Sequence, residues 1–136
     1  MRVVIDTNVL VSALISSKGN PAIIYDACKS GKFTLLSCAQ LMEELRATLR
    51  KPKVSALIRP YEAGRLVNQL HRLTEDVGRL PRVKRSPDPE DDFLLAMCEA
   101  GRADYLVTGD KKGLLALRRH QGTRIFSPKQ FAALWT

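Results

Sequence analysis

The stretch Arg2–Asn8, Arg-Val-Val-Ile-Asp-Thr-Asn, constrains this chain more than any other. Val3, Val4 and Ile5 are three consecutive β-branched residues and read as a short strand buried on both faces. The run then stops on a carboxylate, a hydroxyl and an amide. In open α/β sheets ligands bind at the C-terminal ends of the strands, which makes Asp6 the first candidate for chemistry. Asp, Thr and Asn are also good helix caps, so this stretch alone leaves both readings open. The same arrangement returns in the last third, where Tyr105–Thr108 leads into Gly109-Asp110. Parallel strands would bring both acids to one edge of a sheet.

Between these strands the pattern alternates. Val9, Leu10, Ala13 and Leu14 give Thr7–Ile15 a helical spacing. Asn20-Pro21 predicts a capped helix that runs to Gly31, and Phe33–Ser37 a second strand. Ser37-x-x-Gln40 has the form of a capping box and opens a helix towards Arg50, which Pro52 stops. Another helix fits Tyr61–Leu73, with Leu66, Leu70 and Leu73 inward. Glu75–Pro89 reads as loop or short strand. Asp88-Pro89 starts a helix to Ala100, and Leu114–Leu117 forms a short one. Thr123–Phe126 is a last strand, and Ser127-Pro128-x-Gln130 caps a terminal helix ending at Trp135. Alternating strands and helices imply a parallel sheet covered on both faces. With 136 residues, the expectation is one domain, residues 1–136, with a substantial core.

No apolar run approaches the ~20 residues of a membrane span, and no basic segment followed by a long apolar one opens the chain. Cys28, Cys38 and Cys98 are widely spaced, as expected of apolar core residues in a reduced, cytoplasmic protein. His71 and His120 stand too far apart in sequence to predict a metal pair or a catalytic dyad. The 22 Lys and Arg against 14 Asp and Glu leave a net charge of +8, which predisposes the surface to polyanions. The excess gathers in three groups. Arg46, Arg50, Lys51 and Lys53 flank a proline; Arg79, Arg82, Lys84 and Arg85 form the second, and Lys111, Lys112, Arg118 and Arg119 the third.

Set against this positive background, a few acids stand out. On a helical wheel Leu41, Leu45, Thr48 and Leu49 face inward, Glu44 borders that stripe, and Glu43 points almost opposite. Glu90-Asp91-Asp92 opens a helix, where acids complement the dipole. Asp91 is placed to complete a cap, yet three in a row exceed what capping needs. Carboxylates gathered at one strand edge repel one another unless a cation compensates them. Oxygen ligands without His or Cys favour Mg²⁺ or Mn²⁺, and such a site suits hydrolysis of a phosphodiester held by basic residues. The residues by themselves thus lead to a metal-dependent phosphodiesterase acting on a polyanion. A phosphatase of the haloacid-dehalogenase type would need Asp-x-Asp, and Asn8 stands at its second position.

Val-Val-Ile-Asp6-Thr7-Asn8, Glu44-Leu45, Asp88-Pro89-Glu90-Asp91-Asp92 and Leu-Val-Thr108-Gly109-Asp110 together resemble the PIN-domain family, in particular the VapC-type ribonuclease toxins of toxin–antitoxin pairs. The resemblance spans roughly Arg2 to Phe131. It implies a three-layer α/β/α sandwich around a mostly parallel sheet of about five strands. Carried over by position, it makes Asp6, Glu44, Asp92 and Asp110 the catalytic Mg²⁺ or Mn²⁺ ligands. Asp92 is preferred to Asp91 on its spacing to Ala103-Asp104, and Thr7, Asn8 and Thr108 are supporting polar residues. Asp110-Lys-Lys-Gly-Leu-Leu is one residue longer than the family's usual run. RNA as substrate, an antitoxin partner and a homodimer are implied by the resemblance alone. Arg82, Lys84, Arg85 and Lys111 are the expected RNA contacts. The competing expectation is a catalytically silent PIN-like module that binds RNA or docks a partner.

Overall fold

The computed structural model describes residues 1–136. In chain order the elements are β1 (Arg2–Ile5), α1 (Thr7–Ile15), α2 (Asn20–Lys29), β2 (Thr34–Ser37), α3 (Ala39–Arg50), α4 (Pro52–Ser55), α5 (Pro60–Leu73) and β3 (Thr74–Asp76). A 3-10 turn at Pro89–Asp91 leads into α6 (Asp92–Gly101). Then come β4 (Tyr105–Val107), α7 (Leu114–Leu117), β5 (Arg119–His120), β6 (Thr123–Phe126), α8 (Pro128–Ala132) and a closing 3-10 turn at Ala133–Trp135.

The six-stranded sheet has the order β3-β2-β1-β4-β6-β5. Every pairing is parallel except β5 with β6. Five parallel strands therefore carry the expected architecture, and the sixth is a two-residue antiparallel edge. Alternate strand residues serve opposite faces, as the pleat requires. Val3, Ile5, Leu35 and Val107 join the larger core with Leu10, Ile24, Leu45, Leu66 and Phe131. Val4, Leu36, Leu106 and Ile125 join the smaller one with Leu94, Leu95 and Met97 of α6. The result is a three-layer α/β/α sandwich. No helix is long and apolar enough to cross a membrane.

Several local expectations are corrected. Ser37 does not cap α3: its hydroxyl donates to Thr74 Oγ1 across the sheet at 2.9 Å. The cap is Cys38, whose Sγ accepts from the Leu41 amide at 3.4 Å. The α2 cap is Gly19 rather than Asn20, and α2 stops at Lys29, two residues before Gly31 with its φ of +74°. Pro52 ends α3 but opens the single turn α4. Leu73, at the end of α5, is 38% exposed and not inward. The Asp88-Pro89 start yields a 3-10 turn before the α-helix, so α6 begins later than the sequence indicated. The Ser127–Gln130 capping box forms as read.

Sheet order positions the site. From β1 the chain goes first to β2 and β3 on one side, then to β4 on the other. The end of β1 is thus the switch point, where a crevice opens beyond the strand ends.

Candidate active site

Asp6 sits at that switch point. Its amide continues the ladder by donating to the Val107 carbonyl at 2.9 Å, which fixes the backbone. Its Oδ2 accepts from the Thr108 hydroxyl at 3.0 Å, and Thr108 in turn accepts from the Asp110 amide at 3.2 Å. Thr108 is fully buried at the end of β4. One hydroxyl thereby couples the ends of two parallel strands. Oδ1 of Asp6 also caps α1 through the Asn8 amide, as the capping reading of this stretch expected. The buried Thr7 hydroxyl lies 3.3 Å from Glu44 Oε2 and 3.5 Å from Asp6 Oδ1, a donor shared between two carboxylates.

These groups open onto a cleft of about 530 Å³ with no hydrophobic residue in its lining. Five carboxylates face it: Asp6, Glu44, Asp88, Asp91 and Asp110. Thr7, Asn8, Thr48, Gly109 and Lys51 complete the wall. Glu44 is half-buried and Glu43 exposed, as the wheel required. Burial raises the Glu44 carboxyl above its ordinary range, and the Asp6 charge adds to the effect. Asp91 is pushed up to about 6, by burial first and then by the charges of Asp6, Asp88, Asp110 and Glu44. The carboxylates thus act on one another through a common field.

Asp92 lies elsewhere. Its Oδ1 accepts from the amides of Arg85 and Ser86 at 3.1 and 2.7 Å, and it borders a separate groove with Arg82, Lys84 and Phe93. The acid that reaches the cleft from this region is Asp91. The physical reason is the 3-10 turn: with three residues per turn it shifts which side chain faces the sheet edge. Asp110 also departs from a simple free ligand. Its Oδ1 and Oδ2 accept from the amides of Gly113 and Leu114 at 3.1 and 3.2 Å, so it caps α7. Gly113 permits this approach, since a Cβ there would lie 1.9 Å from Asp110 Oδ2. The longer Asp110-Lys-Lys-Gly run thus forms a loop closed on its own acid.

Of the expected RNA contacts, Arg82, Lys84 and Lys111 are exposed and form no ion pair. Arg85 does not reach out: its Nη1 donates to the Arg119 carbonyl and to His120 Nδ1, both at 2.8 Å. Two charged cleft residues, besides Thr48 and Gly109, were not singled out for the site from sequence. Asp88 was read only as a helix start. Lys51 was counted among the surface basic residues, yet it is the single cation in the wall. Glu44, Thr48 and Lys51 follow the i, i+4, i+7 spacing of one helical face, and that signal could have found it.

The donor set fits a hard cation: all side-chain ligating atoms are oxygens, and several carry like charge that a cation would offset. No three acids stand as a closed ligand cluster.

Comparison with known proteins agrees with the architecture. The chain is similar to the solved PIN domain of human SMG5, with 17% identity, a TM-score of 0.55 and all of both chains covered. No curated protein matches it. A family model described as "PIN domain" matches residues 2–112, which include Asp6, Glu44, Asp88, Asp91 and Asp110. The chain belongs to the PIN-domain family, a nuclease fold.

Proposed function

We propose that this protein is a divalent-metal-dependent endoribonuclease. The single observation that carries the reading is the cleft at the β1 switch point, lined by five carboxylates and no hydrophobic residue. Asp6, Glu44, Asp91 and Asp110 would hold Mg²⁺ or Mn²⁺, with Asp88 beside them. When bound, the ion would lower the pKa of water and stabilise charge on the scissile phosphate. The chain's own residues supply the rest. Thr108 and Thr7 fix the direction of the Asp6 and Glu44 carboxylates. Lys51 offers a positive contact to a phosphate entering an otherwise acidic cleft. Lys111 and Lys112, exposed beside Asp110, extend that contact to the backbone of the polymer.

The direct test is cleavage of end-labelled RNA with and without Mn²⁺, compared with Asp6→Asn. Metal-dependent internal cleavage that vanishes in the variant supports the reading, and equal cleavage by both proteins contradicts it. A toxin silenced by an antitoxin is the biological setting implied by the motif resemblance, in the cytoplasm and with a homodimer as the working unit. Growth arrest on expression, relieved by Asp6→Asn or by an adjacent small partner gene, supports that setting. The second reading, a silent RNA-binding or partner-docking module, is favoured by one observation: Asp110 already directs both oxygens to backbone amides. RNA binding that persists without cleavage in Mg²⁺ and in Mn²⁺ would establish it.

A further inference from the structure

Asp88 and Asp91 reach the cleft from outside the sheet. Between β3 and the 3-10 turn, residues 77–88 form no strand or helix. Side chains anchor this crossing segment instead. Oδ1 of Asp92 gathers the amides of Arg85 and Ser86. The Ser86 hydroxyl then accepts from the Asp88 amide at 3.3 Å, and the Asp88 carbonyl accepts from the Asp91 amide at 3.0 Å. On the other side Arg85 grips the β5–β6 hairpin through the Arg119 carbonyl and His120 Nδ1. His120 is buried, only 6% exposed, with Nε2 at 2.6 Å from Glu99 Oε2. Because Nδ1 accepts from Arg85, Nε2 carries the proton and donates to Glu99. Glu99 belongs to α6, the helix that begins with Asp92. Helix α6 therefore holds the Arg85–Ser86 end of the segment twice, directly through Asp92 at its start and by way of Glu99 and His120 from its last turns. None of Arg85, Asp92, Glu99 and His120 lines the cleft.

We propose that Arg85, with His120 and Asp92, is a positioning residue that sets where Asp88 and Asp91 stand and so sets the affinity of the cleft for a divalent cation. The inference rests on the reading of the cleft as a cation site. Partners that orient ligating side chains directly are worth roughly 10–100-fold in metal affinity; Arg85 acts one step further back, through the backbone of the turn, so its loss belongs at the lower end of that range.

The experiment titrates Mn²⁺ into the intact protein, follows free Mn²⁺ by its electron paramagnetic resonance signal, and measures RNA cleavage on the same samples. Arg85→Ala should weaken Mn²⁺ binding on the order of tenfold and lower kcat more than it raises KM. Arg85→Lys, which keeps one donor, should recover part of the loss. His120→Phe fills the same space and removes the Nδ1 acceptor that Arg85 uses, and it should reproduce the Arg85→Ala defect. The double variant should be no worse than either single one, as for members of one network. Leu66→Ala, a core truncation away from the network, should lower the melting temperature and leave Mn²⁺ affinity unchanged. Wild-type affinity in Arg85→Ala, with binding lost in Asp91→Asn, would overturn this inference and leave the cation site standing. Fully additive losses would overturn it as well. If the unsubstituted protein binds no Mn²⁺, the cation site itself fails and the inference with it.

Discussion

The two walls of the acidic cleft are built differently. On one wall Asp6 follows β1 and is held by sheet pairing, by the buried Thr108 hydroxyl and by the start of α1. On the other, Asp88 and Asp91 ride a 3-10 turn whose approach is fixed by isolated side-chain contacts, two of them local to Asp92 and one reaching 35 residues on to His120. Sheet pairing is backbone-based, so the Asp6 backbone stays in place when side chains around it change, and only the aim of its carboxylate depends on Thr108. The second depends on a few specific hydrogen bonds, each of modest net strength. The difference locates rigidity beneath the strands and sensitivity at the turn.

The largest effect should come from the rigid wall. Asp6→Asn removes a charge at the centre of the cleft while keeping the side chain's shape. Metal-assisted charge stabilisation is worth several kcal/mol, so cleavage should fall on the order of 1,000-fold. Thermal melting without metal should be unchanged or slightly higher, because one of several mutually repelling charges is gone. Thr108→Val comes next. It leaves the Asp6 carboxylate and the Asp110 amide without their buried hydroxyl, at a cost of about 1–3 kcal/mol in chemical denaturation. Activity should drop less than in Asp6→Asn, because the ladder still holds the Asp6 backbone.

Asp92 sharpens the contrast on the sensitive wall. Asp92→Ala should cost about 1–3 kcal/mol by orphaning the Arg85 and Ser86 amides, whereas Asp92→Asn keeps an accepting oxygen and should cost less. The sign of the pH effect follows from Asp91. Its carboxyl is raised to about 6, above its unfolded value, so the folded protein binds that proton more tightly. This contribution to stability is fully present below the unfolded pKa and is lost as the pH rises through about 6. Melting of the metal-free protein and of Asp91→Asn, compared at pH 5 and 7.5, should show the variant gaining on the parent at the higher pH. The smallest effect belongs to Glu43→Gln, exposed on the outer face of α3, with a change within about 0.5 kcal/mol and unaltered cleavage.

What could be read from sequence divides along the same line. Val3–Ile5 and Tyr105–Val107 announce buried strands by their own composition, and each acid follows its strand at once or after two residues, so Asp6 and Asp110 needed no distant information. Glu44 was legible because a regular helix makes the wheel reliable. The Ser127 capping box depends only on local spacing, and it forms. The failures involve remote partners. Ser37 has the spacing of a cap, but Thr74 claims its hydroxyl from a neighbouring strand. His120 looked isolated because Arg85 and Glu99 lie 35 and 21 residues away. The placing of Asp91 rather than Asp92 at the cleft has a local cause instead: spacing read as an α-helix from Pro89 misses the 3-10 turn that intervenes.

The most direct test of the central account sets these adjacent acids against each other. Mn²⁺-dependent cleavage of one labelled RNA should be measured for Asp91→Asn and Asp92→Asn, alongside the melting temperature of each. The account predicts cleavage abolished in Asp91→Asn with the fold intact, and substantial cleavage retained in Asp92→Asn. Cleavage lost in Asp92→Asn and kept in Asp91→Asn would contradict it.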